Sequence, residues 1–90
     1  MYRTIITVVG KDSIGICAQV CTFLAEKNIG ILDITQTIIK EFFSMMMVVN
    51  DTNANQPFGE YSAELHRLGE NLGVKILCQK EEIFNKMHRI

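Results

Sequence analysis

Two apolar segments, 29–39 and 42–50, follow each other in the chain with only Lys40 and Glu41 between them. Both segments are rich in β-branched and large apolar residues, which favour extended strands. Strands joined by so short a connection pair as an antiparallel hairpin. Lys-Glu is not the preferred Asn-Gly turn chemistry, so the turn is allowed to be longer than two residues. The sequence therefore predicts a β-hairpin, which restricts how the rest of the chain can fold.

The hairpin is flanked on each side by a helix pattern and a strand pattern. Residues 3–9 form a β-branched run that ends at Gly10, and residues 74–79 have the pattern of a last strand. The apolar residues of 15–27 and 57–72 recur at three- and four-residue spacing, which is the period of a helix with one apolar face. The predicted order is strand, helix, strand, strand, helix, strand.

This order is the split βαβ, or ferredoxin-like, plan of the α+β class. Right-handed crossovers then give a four-stranded antiparallel sheet in the order 4-1-3-2, with both helices on one face. Residues 81–90 are predicted to form a short C-terminal helix with its apolar side chains on one side. Ninety residues are too few for two independent cores, so the prediction is one domain over residues 1–90 with its core in 3–79.

The third strand is apolar on both of its faces. Alternation places Met45, Met47 and Val49 on one side of the sheet, and Met46 and Val48 on the other. A sheet face in contact with water normally carries polar side chains. Either a partner subunit or the C-terminal helix is therefore expected to cover the second face. We predict a homodimer in which this helix contributes to the interface or to the cover of the sheet.

Composition argues against several classes of function. Nine Lys and Arg against ten Asp and Glu leave a net charge of −1 with no basic stripe, whereas nucleic-acid binding rests on clustered basic residues. The three cysteines, Cys17, Cys21 and Cys78, fit free thiols in a reducing cytoplasm, and a pair is too few for a metal site. The longest apolar run, 45–49, is too short to span a bilayer, and the start of the chain lacks a signal-peptide pattern. We therefore expect a cytoplasmic protein that binds neither nucleic acid nor membrane.

One part of the sequence carries residue types suited to a binding site. Residues 10–16 form a glycine-bounded turn that leads into a helix N-terminus, where free backbone N–H groups and the helix dipole favour an anion. Asn28 follows the helix and enters the second strand with an amide that both donates and accepts. These two regions need not touch within one subunit. They approach the same crevice when the edge strands of two subunits meet.

The chain has a strand that ends in Gly-x-Asp-x-x-Gly-Ile, then a helix, and then the motif Asn-Ile-x-Ile-x-Asp-Ile with a glutamine three residues after the aspartate. This pattern resembles the ACT domain. The resemblance covers about residues 3–79, and it is closest to short stand-alone ACT proteins related to the modules of the glycine-cleavage repressor. It implies a regulatory domain, not an enzyme, that dimerises by joining sheets, holds a free amino acid between subunits and acts on a separate protein. No cofactor and no metal are expected. The ligand-binding residues that the resemblance implies are Asp12, Ser13, Ile14, Gly15, Ile16, Asn28, Ile29 and Leu32.

Several of these polar residues have an alternative, structural role. Asp12 either caps the helix or orients a ligand amine, since Asp is a favoured cap residue. Asn28 either tolerates a left-handed backbone or binds the ligand. Asp33 fits an edge-strand charge that prevents aggregation better than a binding group. Gln36 is expected to point inward and to be structural, because a buried amide needs partners.

Other proteins with the same plan need residues that this chain lacks at the required positions. An acylphosphatase-like hydrolase needs an arginine in the first loop, where Lys11 is the basic residue, and a metallochaperone needs a cysteine pair there, whereas Cys17 falls inside the helix. An RNA-recognition domain needs exposed aromatic residues at the centre of the sheet, where this chain has aliphatic ones. The alternative that stays open is a protein–protein interaction module that uses its sheet edge or apolar face and binds no small ligand.

Overall fold

A computed structural model of the chain describes residues 3–11 and 15–81. Within these ranges the elements follow the predicted βαββαβ order. They are β1 (Arg3–Lys11), α1 (Ile16–Glu26), β2 (Gly30–Ile39), β3 (Phe42–Asn50), α2 (Phe58–Leu72) and β4 (Lys75–Lys80). The predicted C-terminal helix falls on residues that, apart from Glu81, lie outside the described ranges. Among the described residues, neither helix has the length and apolar character needed to cross a membrane.

The four described strands form one antiparallel sheet in the order β2-β3-β1-β4. Read from the other edge, this is the predicted order 4-1-3-2, so that prediction is confirmed. The hairpin turn between β2 and β3 contains Lys40 with a left-handed φ of 57°, the conformation that tight hairpin turns require. The pairing of β2 with β3 shifts between Ile31 and Asp33, which makes Leu32 the extra residue of a β-bulge.

The core lies between one face of the sheet and the two helices. Met45, Met47 and Val49 are fully buried on that face, as the alternation of β3 predicted. Residues of both helices belong to the same cluster, so the helices share one side of the sheet. Burial of each large apolar side chain stabilises the fold by about 1.5–3 kcal/mol. The core consists of Ile6, Val8, Ile16, Val20, Leu24, Ile29, Phe43, Met45, Met47, Val49, Tyr61, Leu65, Val74 and Ile76.

The second face of the sheet is apolar and partly exposed, as the apolar residues on both faces of β3 predicted. The exposed fractions of Val9, Phe42, Met46 and Leu77 are 44%, 50%, 39% and 49%. The register of the sheet places these four residues on the face away from the helices. We call them the open-face patch. That a partner subunit covers this patch stays a prediction.

Helix α2 lies unusually close to β4 at Gly69. A Cβ atom built on this glycine would lie 2.9 Å from the backbone oxygen of Val74 and 2.9 Å from Cγ1 of Ile76. Real Cβ atoms do not approach other atoms so closely, and the Val74 oxygen belongs to the backbone. Gly69 therefore allows the end of α2 to pack directly against the start of β4.

Candidate functional site

The predicted binding turn between β1 and α1 is described at its two ends. Gly15 has a φ of 76°, in the left-handed region that glycine adopts without strain. It stands at the N-cap of α1 and offers no side chain to satisfy the first N–H groups of the helix. Ile16 follows it and is buried in the core. Residues 12–14 lie outside the described ranges, so the roles of Asp12, Ser13 and Ile14 stay predictions.

The other predicted contacts lie at the opposite end of α1. Asn28 has a left-handed φ of 61°, and its Nδ2 donates to the backbone oxygen of Asn53 at 2.9 Å. Ile29 is buried in the core, whereas Leu32 is 48% exposed at the bulge. The 11 residues of α1 span about 16 Å at 1.5 Å each. Within one chain, the turn at Gly15 and the Asn28 end are therefore far apart, and their role as one site stays a prediction about two chains.

Strand β2 is an edge strand whose side chains are largely apolar. Ile31, Leu32, Ile34 and Ile38 are between 38% and 63% exposed, and Asp33 is the single charged residue of the strand. An edge strand leaves a row of backbone N–H and C=O groups unpaired, which makes it a template for pairing with another chain. Natural edge strands are usually protected by several charges or by proline. The β2 edge is therefore well suited to pair with a second strand.

A polar cluster lies where β3 ends and joins three other elements. The Oδ2 atom of Asp51 accepts hydrogen bonds from the hydroxyl of Tyr61 at 2.7 Å, from Oγ1 of Thr4 at 3.1 Å and from Nζ of Lys80 at 3.1 Å. The side chain of Asp51 is only 4% exposed, and Thr4 and Tyr61 are fully buried. We call these four residues the Asp51 cluster. It links β1, α2 and β4 to the end of β3.

The ionisation of the Asp51 cluster follows from its surroundings. Burial by itself raises the pKa of Asp51, but the hydrogen bonds from Tyr61, Lys80 and Thr4, together with the charge of Lys80, outweigh burial and hold this pKa below its ordinary value. Burial raises the pKa of Tyr61, and the neighbouring carboxylate adds to that effect. At neutral pH, Asp51 is therefore a carboxylate and Tyr61 a protonated donor.

The lowered pKa of Asp51 predicts a specific loss of stability in acid. Because the folded pKa lies below the unfolded value of about 3.9, the carboxylate contributes stability that is present above that value and is lost as the pH falls through the folded pKa. Urea unfolding at neutral pH and at about pH 3, which lies below the unfolded pKa of Asp51, measures this loss. The native chain should lose more stability between the two conditions than the Asp51→Asn variant. An equal loss in both proteins would show that Asp51 is not the group responsible.

A cavity of about 410 Å³ opens beside the Asp51 cluster. It lies under the loop between β3 and α2, and α2 begins at its wall with Pro57 at the N-cap and no side-chain hydrogen bond to the cap. The lining residues are Asp51, Thr52, Ala54, Asn55, Gln56, Pro57, Phe58 and Lys80. We call this space the loop cavity.

The loop above the cavity is held in place by the end of α1. Asn55 donates through Nδ2 to the backbone oxygen of Glu26 at 3.0 Å and through its backbone N–H to the backbone oxygen of Lys27 at 2.9 Å. The hydrogen bond from Asn28 to Asn53 reaches the same loop. The sequence of residues 51–56 indicates only a polar loop, and its one chemical signal is the acidic residue Asp51 directly after an apolar strand.

Two of the three cysteines, Cys21 and Cys78, have thiols whose pKa is raised. The Sγ atoms of Cys17 and Cys21 lie 4.0 Å apart, and burial, followed by the neighbouring Cys17, raises the pKa of Cys21. Burial raises the pKa of the Cys78 thiol to about 11. A thiol acts as a nucleophile or metal ligand in its thiolate form, so Cys21 and Cys78 are poorly suited to either role at neutral pH. In residues 3–11 and 15–81, no group of three or more His, Cys, Asp or Glu side chains is placed to hold a metal ion.

The chain is similar over its whole length to several proteins of archaea and bacteria. A UPF0237 protein of Bifidobacterium longum is 54% identical over 90 residues, and one of Methanocaldococcus jannaschii is 46% identical over 90 residues; each match covers 100% of both chains. A solved ACT domain protein from Streptococcus pneumoniae has a TM-score of 0.81 at 43% identity, over 92% of this chain and 93% of that one. These similarities extend across the described fold.

More distant structures share the fold alone. A formyltetrahydrofolate deformylase from Pseudomonas syringae has a TM-score of 0.81 at 17% identity, and the match covers 89% of this chain but 28% of that one. A glycine cleavage system repressor has a TM-score of 0.76 at 22% identity, over 88% of this chain and 45% of that one. The family model described as ACT domain matches residues 3–79. The chain therefore belongs to the ACT domain family.

Proposed function

We propose that this chain is a regulatory ACT domain that binds a free amino acid at the interface of a homodimer and modulates a separate protein. The observation that supports this function best is the exposed, apolar β2 edge. Two copies that pair their β2 strands about a two-fold axis extend one sheet across both chains. The proposed domain has no catalytic activity, and its place is the cytoplasm, where its free thiols stay reduced.

The two-fold pairing defines the ligand site. Because β2 strands related by the axis run antiparallel, the Gly15 turn of one copy lies near the Asn28 end of the other. The N-terminus of α1, where Gly15 at the N-cap supplies no side-chain acceptor, favours the ligand carboxylate. Asn28 uses Nδ2 for Asn53, and its amide oxygen is the acceptor for the ligand ammonium group. Leu32, exposed at the bulge, contacts the ligand side chain.

A thermal-shift screen against the free amino acids tests the ligand. An amino acid at a hundredfold excess over its dissociation constant stabilises the folded chain by about 2.7 kcal/mol. For a domain of this size, the melting temperature should rise on the order of 10–20 °C. A flat response to every amino acid would contradict the proposed ligand class.

A pair of matched leucine variants tests the interface. Leu32→Asp places a charge at the β2 edge, whereas Leu77→Asp places the same charge on the open-face patch, and the two leucines are 48% and 49% exposed. Removal of one leucine side chain from the interface costs about 1.5 kcal/mol or more of binding free energy. Because the two-fold axis places Leu32 of both copies in the interface, the substitution removes two leucines. Leu32→Asp should therefore weaken the dimer at least about a hundredfold.

Sedimentation at micromolar concentration measures both variants beside the native chain. The native chain and Leu77→Asp should remain dimers, whereas Leu32→Asp should be a monomer. A native monomer would refute the homodimer. If only Leu77→Asp dissociated the dimer, the interface would be the open face of the sheet and not the β2 edge.

The open-face patch supports a second candidate function. Its four exposed apolar side chains suit an interaction module that binds another protein through the sheet face and needs no small ligand. This function predicts no thermal response to any amino acid. It also predicts that Leu77→Asp abolishes capture of the partner while Leu32→Asp does not.

A further inference from the structure

One end of the open sheet face is buried, although both described helices lie on the opposite face. Ile5 alternates with the core residue Ile6, so its side chain lies on the open face, and yet Ile5 is only 7% exposed. Val9 lies four residues further along the same face of β1 and is 44% exposed. Because Ile5 is buried within a single chain, a partner subunit does not account for its burial. The cover of Ile5 therefore comes from the same chain.

Ile5 belongs to a row of residues that crosses the whole sheet. It pairs with Val48 of β3 and Gln79 of β4, both half-buried, and Val48 pairs with the exposed Asp33 of β2. Paired residues of neighbouring strands carry their side chains on the same face. We call these four residues the Ile5 row. It borders the open-face patch, since Met46 lies two residues before Val48 in β3.

The chain leaves β4 at the same end of the open face. Nη1 of Arg3 lies 3.5 Å from Oε2 of Glu81, the first residue after β4. Arg3 lies two residues before Ile5 in β1, so both side chains are on the open face. An exposed ion pair of this kind contributes little to stability, but it places Glu81 at the open face. Residues 82–90, which lie outside the described ranges, therefore start beside the Ile5 row.

The sequence of residues 82–90 has the pattern and the length of a cover for this row. Ile83, Phe84, Met87 and Ile90 fall on one side of a helix. The nine residues span about 13 Å as a helix, and four strands span about 14 Å from the first to the last. A helix that starts at β4 therefore has the length to cross β1 and β3 and to end near β2.

We propose that residues 82–90 form a helix that covers the Ile5 row of their own chain. The apolar side of this helix packs on Ile5 and Val48. A helix is about 10 Å wide with its side chains, whereas residues on one face of a strand are about 7 Å apart. The helix therefore covers the Ile5 row and leaves most of the open-face patch accessible. This cover depends neither on the amino-acid ligand nor on the dimer, and it limits a protein partner of the sheet face to the patch.

The charges of the segment agree with this direction across the sheet. Lys86 and Arg89 lie in the second half of the segment, and a helix that starts beside Glu81 brings them towards β2. Asp33 is the single charged residue of β2 and lies at the far end of the Ile5 row. Opposite charges thus meet at the end of the helix, where an exposed ion pair favours this direction more than it adds stability.

Methyl NOE spectroscopy of the whole chain tests the cover directly. The methyl groups of Ile5 and Val48 should show NOEs to side chains of residues 82–90, whereas the methyl groups of Val9 should show none to them. A sample that mixes isotope-labelled and unlabelled chains separates contacts within a chain from contacts between chains. The NOEs of Ile5 should arise within one chain. Their absence, or their appearance only between chains, would overturn the proposal.

A matched pair of variants measures what the cover contributes. On a helix, Met87 lies in the middle of the apolar side and Asn85 on the opposite side, and Asp at either position adds one negative charge. Met87→Asp loses the burial of a methionine side chain, so the folding equilibrium constant should fall at least about tenfold. Asn85→Asp should change this constant less than about threefold. Urea unfolding of both variants beside the native chain measures these changes.

The spectra of the same variants show where the effect arises. Met87→Asp should shift the methyl signals of Ile5 and Val48, and Asn85→Asp should leave both in place. Equal effects of the two variants on folding, or unshifted signals in a folded Met87→Asp chain, would show that the segment does not cover the row. If Met87→Asp does not fold, the NOEs of the native chain still decide the proposal.

Discussion

The Asp51→Ala variant is expected to lose about 3 kcal/mol of unfolding free energy, because it removes the acceptor that joins three elements to the end of β3. The hydroxyl groups of Thr4 and Tyr61 are fully buried and lose their charged partner. They can still bond to each other, since their oxygens lie 3.1 Å apart. Lys80 is 31% exposed and regains water. The expected loss therefore lies at the lower end of the range for a broken buried ion pair.

Urea unfolding at neutral pH measures the effect against a matched control. Asp33→Ala removes an exposed aspartate from β2 and should change the unfolding free energy by less than about 0.5 kcal/mol. Tyr61→Phe removes one donor of the cluster, and its loss of unfolding free energy should lie between those of the two aspartate variants, at about 1–1.5 kcal/mol. If Asp51→Ala and Asp33→Ala had equal effects, the cluster would not be a structural link.

The second large effect is expected from Gly69→Ala, which should destabilise the chain by about 2 kcal/mol. The new methyl group would lie 2.9 Å from the backbone oxygen of Val74, an atom that moves only with the chain around it. Alanine has a higher helix propensity than glycine by about 1 kcal/mol. The steric cost outweighs this gain because α2 must move away from β4.

Gly59→Ala is the matched control in the same helix. A Cβ atom on Gly59 meets nothing within 4 Å, so only the propensity changes, and the chain should gain up to about 1 kcal/mol. Thermal unfolding distinguishes the two variants, since about 1 kcal/mol shifts the melting temperature by about 4–8 °C in a domain of this size. Melting temperatures that move in the same direction would refute the proposed close contact at Gly69.

The fold was predictable because its signals are local. The short connection between β2 and β3 determines the hairpin, and the periodicity of α1 and α2 marks one buried face on each helix. Alternation along β3 correctly placed Met45, Met47 and Val49 in the core. Each of these predictions needed only a short window of sequence. Gln36 lies on the helix side of the sheet, with its Nε2 3.6 Å from Sδ of Met45, but it is exposed at the β2 edge, so the prediction that its amide is buried was wrong.

The Asp51 cluster and the loop cavity were not predictable in the same way. Thr4, Asp51, Tyr61 and Lys80 come from four separate parts of the chain and meet only in the folded sheet. The bulge in β2 was also missed, because a regular two-residue alternation leaves no place for an extra residue. For Asn28, the predicted tolerance of a left-handed backbone is confirmed, and its hydrogen bond to the β3–α2 loop has no signal in the sequence around it.

The bulge at Leu32 determines which single-residue deletions β2 can absorb. Ile31 pairs with Val49 and Asp33 pairs with the next residue of β3, Val48, so Leu32 has no partner of its own. Loss of Leu32 would turn the bulged strand into a regular one and leave every other side chain on its present face. Loss of Ile34 would instead turn the residues on one side of the deletion inside out. Within β2, the position where a single-residue deletion keeps every side chain on its face is therefore Leu32.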